Sequence, residues 1–389
     1  MNIATFSQQF RKNIQTYIII ILLVFIWGIF SIVTKGGYLS PQNISNLFRQ
    51  MTVTALLASG MVLVMVIGGI DLSVGKMAGL VSVIVALFQR DIWFKLIPGQ
   101  PITAALLSVG VGLLAGLLFG IFQGYIIAYL RVPAFIATLG GMFLYNGGIL
   151  LATGGQTIAA NQPGFSTIAQ GYLPPLAGWI LGAAVVVVLF LMMYRNRRNK
   201  VKYGFVNKPI IQDIIRTVLF SFIVILYVFI VNRYNGVQVP VIILAVTAII
   251  YSYISTNTRY GRYAYALGGN REAARLSGIN IKKETFLVFA TMGLLSGLAG
   301  VVLASYVGYG TIAAGQGYEL DAIASCVLGG TSTLGGSGTI FGALVGALIM
   351  TSLNTGLQMM NVAPAWQYIL KGFVLVLAVV IDVYFKRNN

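Results

Sequence analysis

The sequence predicts an all-α, polytopic integral membrane protein with about ten to twelve membrane-spanning helices, at least one of them broken or re-entrant. Three observations carry that prediction. Hydrophobic residues fill 58% of the 389 positions and charged residues only 8%. A soluble domain carries about 25% charged residues, so this chain lacks the polar surface that water requires. Apolar runs of about 20 residues, the length that crosses a bilayer as a helix, recur along the whole chain. Basic residues gather between those runs, with 25 Lys and Arg against 8 Asp and Glu and a net charge of +17.

Taken in order, the clear spans are 17–34, 51–69, 103–129, 134–152, 177–194, 217–232, 237–254, 285–307 and 366–384. Segment 75–88 is shorter and reads as a crossing too. Segment 319–354 is long, apolar and interrupted by glycines near 329–338, and reads as two spans, one of them irregular. That makes about twelve crossings. The first run follows Arg11 and Lys12 and has no small-residue cleavage site after it, so it reads as a retained anchor.

Loop charge orients the chain, because Lys and Arg concentrate on the cytoplasmic side. The stretch 195–216 holds seven basic residues and one acid, Asp213. It reads as a basic cytoplasmic loop. The stretch 255–284 carries Arg259, Arg262, Arg271, Arg275, Lys282 and Lys283 against Glu272 and Glu284, and reads as cytoplasmic as well. The uncharged stretch 153–176 fits outside, and Lys386 and Arg387 fit inside. Both termini are then cytoplasmic. Lys35, Arg49, Arg90 and Lys95 fall in loops that this arrangement places outside.

Several function classes drop out. The chain has no histidine and one cysteine, Cys326, so His-based catalysis, His metal sites and internal disulfides are excluded. No catalytic pair can be assembled from eight scattered acids. The distribution of basic residues between apolar runs points to anionic lipid headgroups rather than nucleic acid. The phosphate-binding pattern G-x-x-x-x-G-K-[ST] is absent, so the chain has no ATP site of its own. Any energy for transport comes from a partner or an ion gradient. An ion-coupled secondary transporter is the alternative to a partner-driven one. It requires ionisable groups inside the spans, and apart from the boundary residues Asp71, Glu319 and Asp321 the spans hold no acid except Asp382.

Three constellations stand out. Gly68-Gly69-Ile70-Asp71-Leu72-Ser73-Val74-Gly75-Lys76 places Asp71, Ser73 and Lys76 between two apolar runs. It reads either as a kinked element on a pathway or as a capped loop, with Ser73 as the cap. Residues 67–87 also weakly echo 328–349: paired glycine-interrupted segments mark midplane pathways, and chance likeness between glycine-rich membrane segments is the competing reading. The second constellation is Tyr260–Asn280. Within it Glu272–Leu276 reads as a short helix with Asn270 as N-cap and Gly278 as stop. It is either a docking helix or a solvated basic loop. The third is Gly317–Ala324, where Glu319 and Asp321 open an apolar segment on the outer side. They are candidates to bind a cation, to contact a binding protein, or to cap a half-helix.

Ile70–Gly75, Ala266–Asn280, and Glu319–Ala324 running into Leu328-Gly329-Gly330-Thr331-Ser332 resemble, in the same order, the monosaccharide ABC-importer permeases of ribose, galactose, arabinose and xylose systems. The likeness covers nearly the whole chain, so residues 1–389 read as a single transmembrane permease domain. The two-span insertion around 195–216 and the stretch Met359–Val362 resemble the xylose and multiple-monosaccharide permeases. The resemblance implies two permease copies, a cytoplasmic ATPase with two cassettes that binds ATP and Mg, and an extracytoplasmic sugar-binding protein. No cofactor is implied on this chain. It further implies an ATPase-coupling loop at 255–284, comprising Gly268, Gly269, Asn270, Glu272, Ala273, Ala274, Arg275 and Gly278, and a bacterial cytoplasmic-membrane location. Candidate pathway or gating groups are Asp71, Ser73, Lys76, Asn146, Gln316, Glu319, Asp321, Asn354 and Gln358. Gln156, Gln367, Phe143 and Tyr145 are further lining candidates, since uncharged polar groups and aromatic faces match sugar hydroxyls and rings. Hydrogen bonding between helices is the competing role for each polar group.

Overall fold

The computed structural model describes residues 14–160, 162–205 and 209–387. Arg11 and Lys12, and the side chains of Asp382, Lys386 and Arg387, lie outside the described residues. The chain enters on α1 (Ile14–Val33). Buried Tyr38 follows, and its hydroxyl donates to the Ser352 carbonyl at 2.9 Å, tying the start of the chain to a late helix.

Helix α2 (Pro41–Val66) begins ahead of the apolar run expected from 51. Asn43, Asn46, Arg49 and Gln50 lower the hydropathy of its first turns without breaking the helix. Pro41 opens it, and the Ser40 hydroxyl accepts the Asn43 N–H at 3.3 Å. Arg49 therefore lies in a helix rather than a loop, with its guanidinium 4.8 Å from the Tyr172 ring centre. Residues 51–67 are buried on every face, which marks α2 as the central helix of the bundle. Helix α3 (Val74–Leu96) runs past residue 88 through one π-helical stretch, Phe88–Trp93. Arg90 pairs there with Asp91 at 2.8 Å.

Helices α4 (Pro101–Ala128) and α5 (Ala134–Thr153) follow. A short strand β1 (Ile158–Ala159) and helix α6 (Thr167–Gln170) lead to α7 (Pro175–Lys202) and α8 (Ile210–Asn232). This pair brackets the 195–216 stretch. It lies at the periphery, and α7 buries only Gly178 and Gly182, which pack near Asn232 and Val228 of α8. The expected basic loop is mostly helix, because Lys and Arg are good helix formers. α7 continues to Lys202 and α8 starts at Ile210.

The remaining elements are α9 (Val239–Asn257), α10 (Arg259–Gly269), α11 (Arg271–Leu276), α12 (Ile281–Val307), β2 (Tyr309–Gly310), α13 (Tyr318–Leu328), α14 (Ile340–Met359) and α15 (Pro364–Arg387). Strands β1 and β2 pair antiparallel. Helix α13 has 11 residues, about 16 Å at 1.5 Å each, too short for a hydrocarbon core of about 30 Å. The chain then turns through Gly330, Gly335 and Gly336, all at positive φ, and returns as α14. The 319–354 segment is thus one half-crossing and one full crossing. Among the described residues nine helices are long and apolar enough to span, with shorter apolar stretches in α1 and α15. The chain is an all-α polytopic membrane protein.

Helices α4 and α12 cross at backbone contact. Gly112, Gly116, Gly120 and Gly124 of α4 form one small-residue face, and it meets Gly293 and Gly297 of α12. A Cβ on Gly116 would lie 2.5 Å from the Gly297 Cα, and one on Gly120 would lie 2.6 Å from the Phe289 carbonyl oxygen. In lipid, helix association depends on such close packing, because apolar burial alone drives little. Gly116→Ala is expected to cost about 2 kcal/mol through overpacking, read as a lower melting temperature in detergent. Gly110→Ala on the same helix, where a Cβ meets nothing within 4 Å, is expected to leave it unchanged.

Candidate functional site

The interruption between α2 and α3 carries the first constellation. Asp71 is 1% exposed. Its Oδ1 accepts the Ser73 N–H at 2.9 Å and the Ser73 hydroxyl at 2.6 Å. Ser73 stands at the N-cap position of α3, yet its hydroxyl makes no cap bond there. It turns to Asp71 and lies 3.0 Å from Gln123 Oε1 of α4. The Thr138 hydroxyl of α5 donates to the Ile70 carbonyl at 3.3 Å. Unwound backbone at membrane depth survives only where such partners replace the helix bonds. Asp71 and Ser73 therefore hold the break in shape from within the fold.

Two interrupted segments meet next. Gly75 opens α3 against Gly315 and Glu319, which precede and open α13. A Cβ on Gly75 would overlap the Glu319 carboxylate, and one on Gly315, at φ +72°, would overlap the Gly75 carbonyl. Glu319 and Asp321 occupy the first turn of α13, where negative charge suits the helix N-terminus. Asp321 and Tyr318 share a cavity with Gln50 and Thr54, roughly 14–20 Å along α2 from Pro41. The segment 311–317 precedes α13, and its Ala314 and Gly315 pack against Gly79 and Gly75 of α3.

Two cavities flank this meeting point. One, of about 500 Å³, is lined by Lys76, Phe143, Asn146, Gln316 and Glu319. The other, of about 330 Å³, is lined by Gln50, Gln316, Asp321, Asn354, Gln358 and Lys371. Gln316 belongs to both. Lys371 of α15 reaches Asp321 Oδ2 with its Nζ at 3.0 Å. The structure thus brings seven of the nine candidate pathway residues to two adjoining cavities and puts Asp71 and Ser73 in the scaffold behind them. Three further candidates lie elsewhere. Tyr145 is buried against Phe119 and offers no stacking face. Gln156 is exposed, and Gln367 donates to the Val362 carbonyl at 2.8 Å.

The 255–284 stretch folds as a short helical relay, α10 and α11, between α9 and α12. Asn270 caps α11, accepting the Ala273 N–H at 2.9 Å, and Gly278 ends it at φ +83°. Glu272 and Arg275 form an exposed pair at 3.0 Å. Ala274 is buried, and Leu276 at the tip is 81% exposed. Gly268 packs directly on the carbonyl of Val66, the last residue of α2, and beside Gly336 of the turn before α14. The Gly336 N–H donates to that same Val66 carbonyl at 2.8 Å. The Tyr265 hydroxyl donates to the Gly338 carbonyl at 2.7 Å. The relay touches both interrupted segments, while Gly269 faces open space.

A family profile described as "Branched-chain amino acid transport system / permease component" matches residues 43–379. The xylose transport system permease protein XylH of Haemophilus influenzae is 41% identical over 97% of this chain and 98% of its own length. The chain belongs to this permease family. The Escherichia coli K12 protein of the same description is 41% identical to the permease over 99% of this chain and 95% of its own length. The ribose import permease protein RbsC of Escherichia coli K12 is 35% identical over 89% and 87%. No solved structure matches. These relatives place the permease among monosaccharide ABC permeases, as its motifs implied, and the ion-coupled alternative finds no support among them. It is a transport subunit rather than an enzyme.

Sequence reasoning missed four residues of this arrangement. Lys371 stands inside an apolar run, and an intramembrane lysine is itself a functional signal. Gln50 and Gln123 carry a weaker version of it. Tyr265 carries none, because its partner is 73 residues away.

Proposed function

We propose that this permease is the membrane-spanning subunit of an ATP-driven importer that carries xylose, or a closely related monosaccharide, inward across the bacterial cytoplasmic membrane. The observation that carries the reading is the contact of the α10–α11 relay with both interrupted segments at Val66, Gly336 and Gly338. A surface element that moves would move the α2–α3 break and the turn that opens α14, and both α3 and α14 line the cavities, through Lys76 and through Asn354 and Gln358. Full-length identity of 41% to permeases described for xylose, against 35% to one described for ribose, supports the choice of sugar.

In this reading α11 docks in a groove of a cytoplasmic ATPase with two cassettes, its exposed Leu276 and the Glu272–Arg275 pair at the contact. ATP and Mg are held by that partner. Both termini and the relay face the cytoplasm, as the basic loops require. An extracytoplasmic binding protein delivers the sugar to the opposite face, and two permease copies enclose the pathway. Asn146, Gln316, Asn354 and Gln358 offer hydrogen bonds to sugar hydroxyls in transit. Lys76 and Glu319 border the entry to α13. A pathway must hold its cargo loosely enough to release it, so tight recognition rests with the binding protein.

The test is uptake of labelled pentoses and hexoses into liposomes holding the permease, with and without ATPase and binding protein. Xylose uptake that needs both partners and internal ATP is the expected result. Uptake by the permease alone on an ion gradient overturns the reading, and a hexose preference overturns the sugar.

A further inference from the structure

Helices α7 and α8 enclose, with α9 and the start of α14, a groove of about 750 Å³ whose lining shares no residue with the two cavities described above. One end is charged. Arg197, Lys200 and Arg216 line it, and Asp213 is the one acid among its described lining residues. Arg197 Nη1 pairs with Asp213 Oδ2 at 2.6 Å, so that acid is already engaged. Lys200 and Arg216 add two positive charges with no further carboxylate beside them in the groove. The whole stretch 195–216 carries seven basic residues against that single acid.

The other end is apolar. Leu189, Met192 and Met193 of α7 face Phe220 of α8 and Phe341 of α14. The two phenylalanine rings meet edge-on, with centroids 6.4 Å apart, and the Arg216 guanidinium lies 5.8 Å from the centre of the Phe220 ring. Cations lie at the basic end of the helices and the apolar wall lies toward the membrane core. That order matches a phospholipid, with an anionic headgroup at the surface and acyl chain below it. A soluble anion would use only the charged end, and a neutral lipid would leave the two cations uncompensated.

We propose that this groove binds one anionic phospholipid of the leaflet on the basic side of the membrane. Lys200 and Arg216 hold the headgroup phosphate, and Met192, Phe220 and Phe341 take the upper acyl chain. Basic pockets between spans on the cytoplasmic side suit such headgroups. The site also has a route to the transport machinery. Thr339 caps α14 beside the groove, its side chain accepting the Gly342 N–H at 3.0 Å, and the preceding Gly338 carbonyl accepts the Tyr265 hydroxyl of the relay. A lipid seated there braces the segment that the relay holds. The site stands whichever sugar is carried.

Native mass spectrometry of the purified permease, titrated with phosphatidylglycerol and separately with phosphatidylcholine, tests the assignment. Phosphatidylglycerol is expected to remain bound as one retained copy per chain. Lys200→Gln with Arg216→Gln is expected to weaken it about thirtyfold, the loss expected for two basic residues at an anionic surface. Arg195→Gln with Arg198→Gln removes the same charge from the same stretch but not from the groove, and is expected to leave binding unchanged. Equal retention of phosphatidylcholine overturns the proposal. So does equal weakening by both double variants, which would reduce the effect to general surface charge. Displacement of the lipid by inorganic phosphate alone overturns the assignment to a lipid.

Discussion

Lys371→Ala is expected to destabilise the permease by about 3 kcal/mol or more, and Asp321→Asn with Lys371→Met to recover most of that loss. The pair is well inside the bundle, with side-chain exposures of 24% for Lys371 and 7% for Asp321. Removing the lysine leaves a carboxylate in surroundings that cannot solvate it. Replacing both partners removes the charge together with its need for compensation, and such replacements are often neutral. Helix α15 packs on α13 in this region, so the single variant loosens the last helix first. Thermal unfolding in detergent, followed for wild type and the two variants, reads the difference directly. If the double variant is as unstable as Lys371→Ala, the ion pair is not the source of the loss. Transport separates a second role. Lys371 and Asp321 line the cavity that also holds Asn354 and Gln358. A double variant that is stable but slow in uptake would mark the pair as part of the pathway and not only of the scaffold.

Much of this architecture was legible in the sequence because it is set by local rules. Asn270 as cap and Gly278 as stop follow from side-chain reach and positive φ, and both are found. The break near 329–338 follows from its glycines. Features that depend on distant partners were not legible. Ser73 has the composition of a cap, but its hydroxyl is drawn to Asp71 and to Gln123, 50 positions away. Glu319 and Asp321 read as outer residues because they follow a span. Their packing against Gly75 and Lys371 depends on residues far along the chain, which hydropathy does not register. Averaging over a window also hid Lys371 inside α15 and the polar first turns of α2. The candidate pathway residues were found by type, as uncharged polar groups in spans. Their gathering around Gln316 is a property of packing alone.

Gly268→Ala is expected to slow ATP-dependent uptake by about 5- to 150-fold, while Gly269→Ala leaves it near wild type. The two glycines are adjacent in sequence and differ only in what a methyl group meets. At Gly268 a Cβ would overlap the Val66 carbonyl oxygen and lie 2.7 Å from the Gly336 nitrogen, whereas at Gly269 it meets nothing within 4 Å. The Val66 carbonyl is also the acceptor for the Gly336 N–H, so the methyl group drives into the one point where α2, the relay and the turn before α14 are joined. Overpacking of this kind costs about 1–3 kcal/mol, which is the size of a typical coupling free energy between sites and gives the fold-change stated. Relief requires α10 to move away from α2. The exposed face of α11 is left intact, so ATPase docking is expected to persist, measured as co-purification of the complex. ATP hydrolysis that continues while uptake falls is the signature of a broken mechanical link. Equal loss of docking and uptake would instead place the effect in the fold of the relay. A Gly268→Ala variant that transports normally would remove the Val66–Gly268–Gly336 contact from the coupling route.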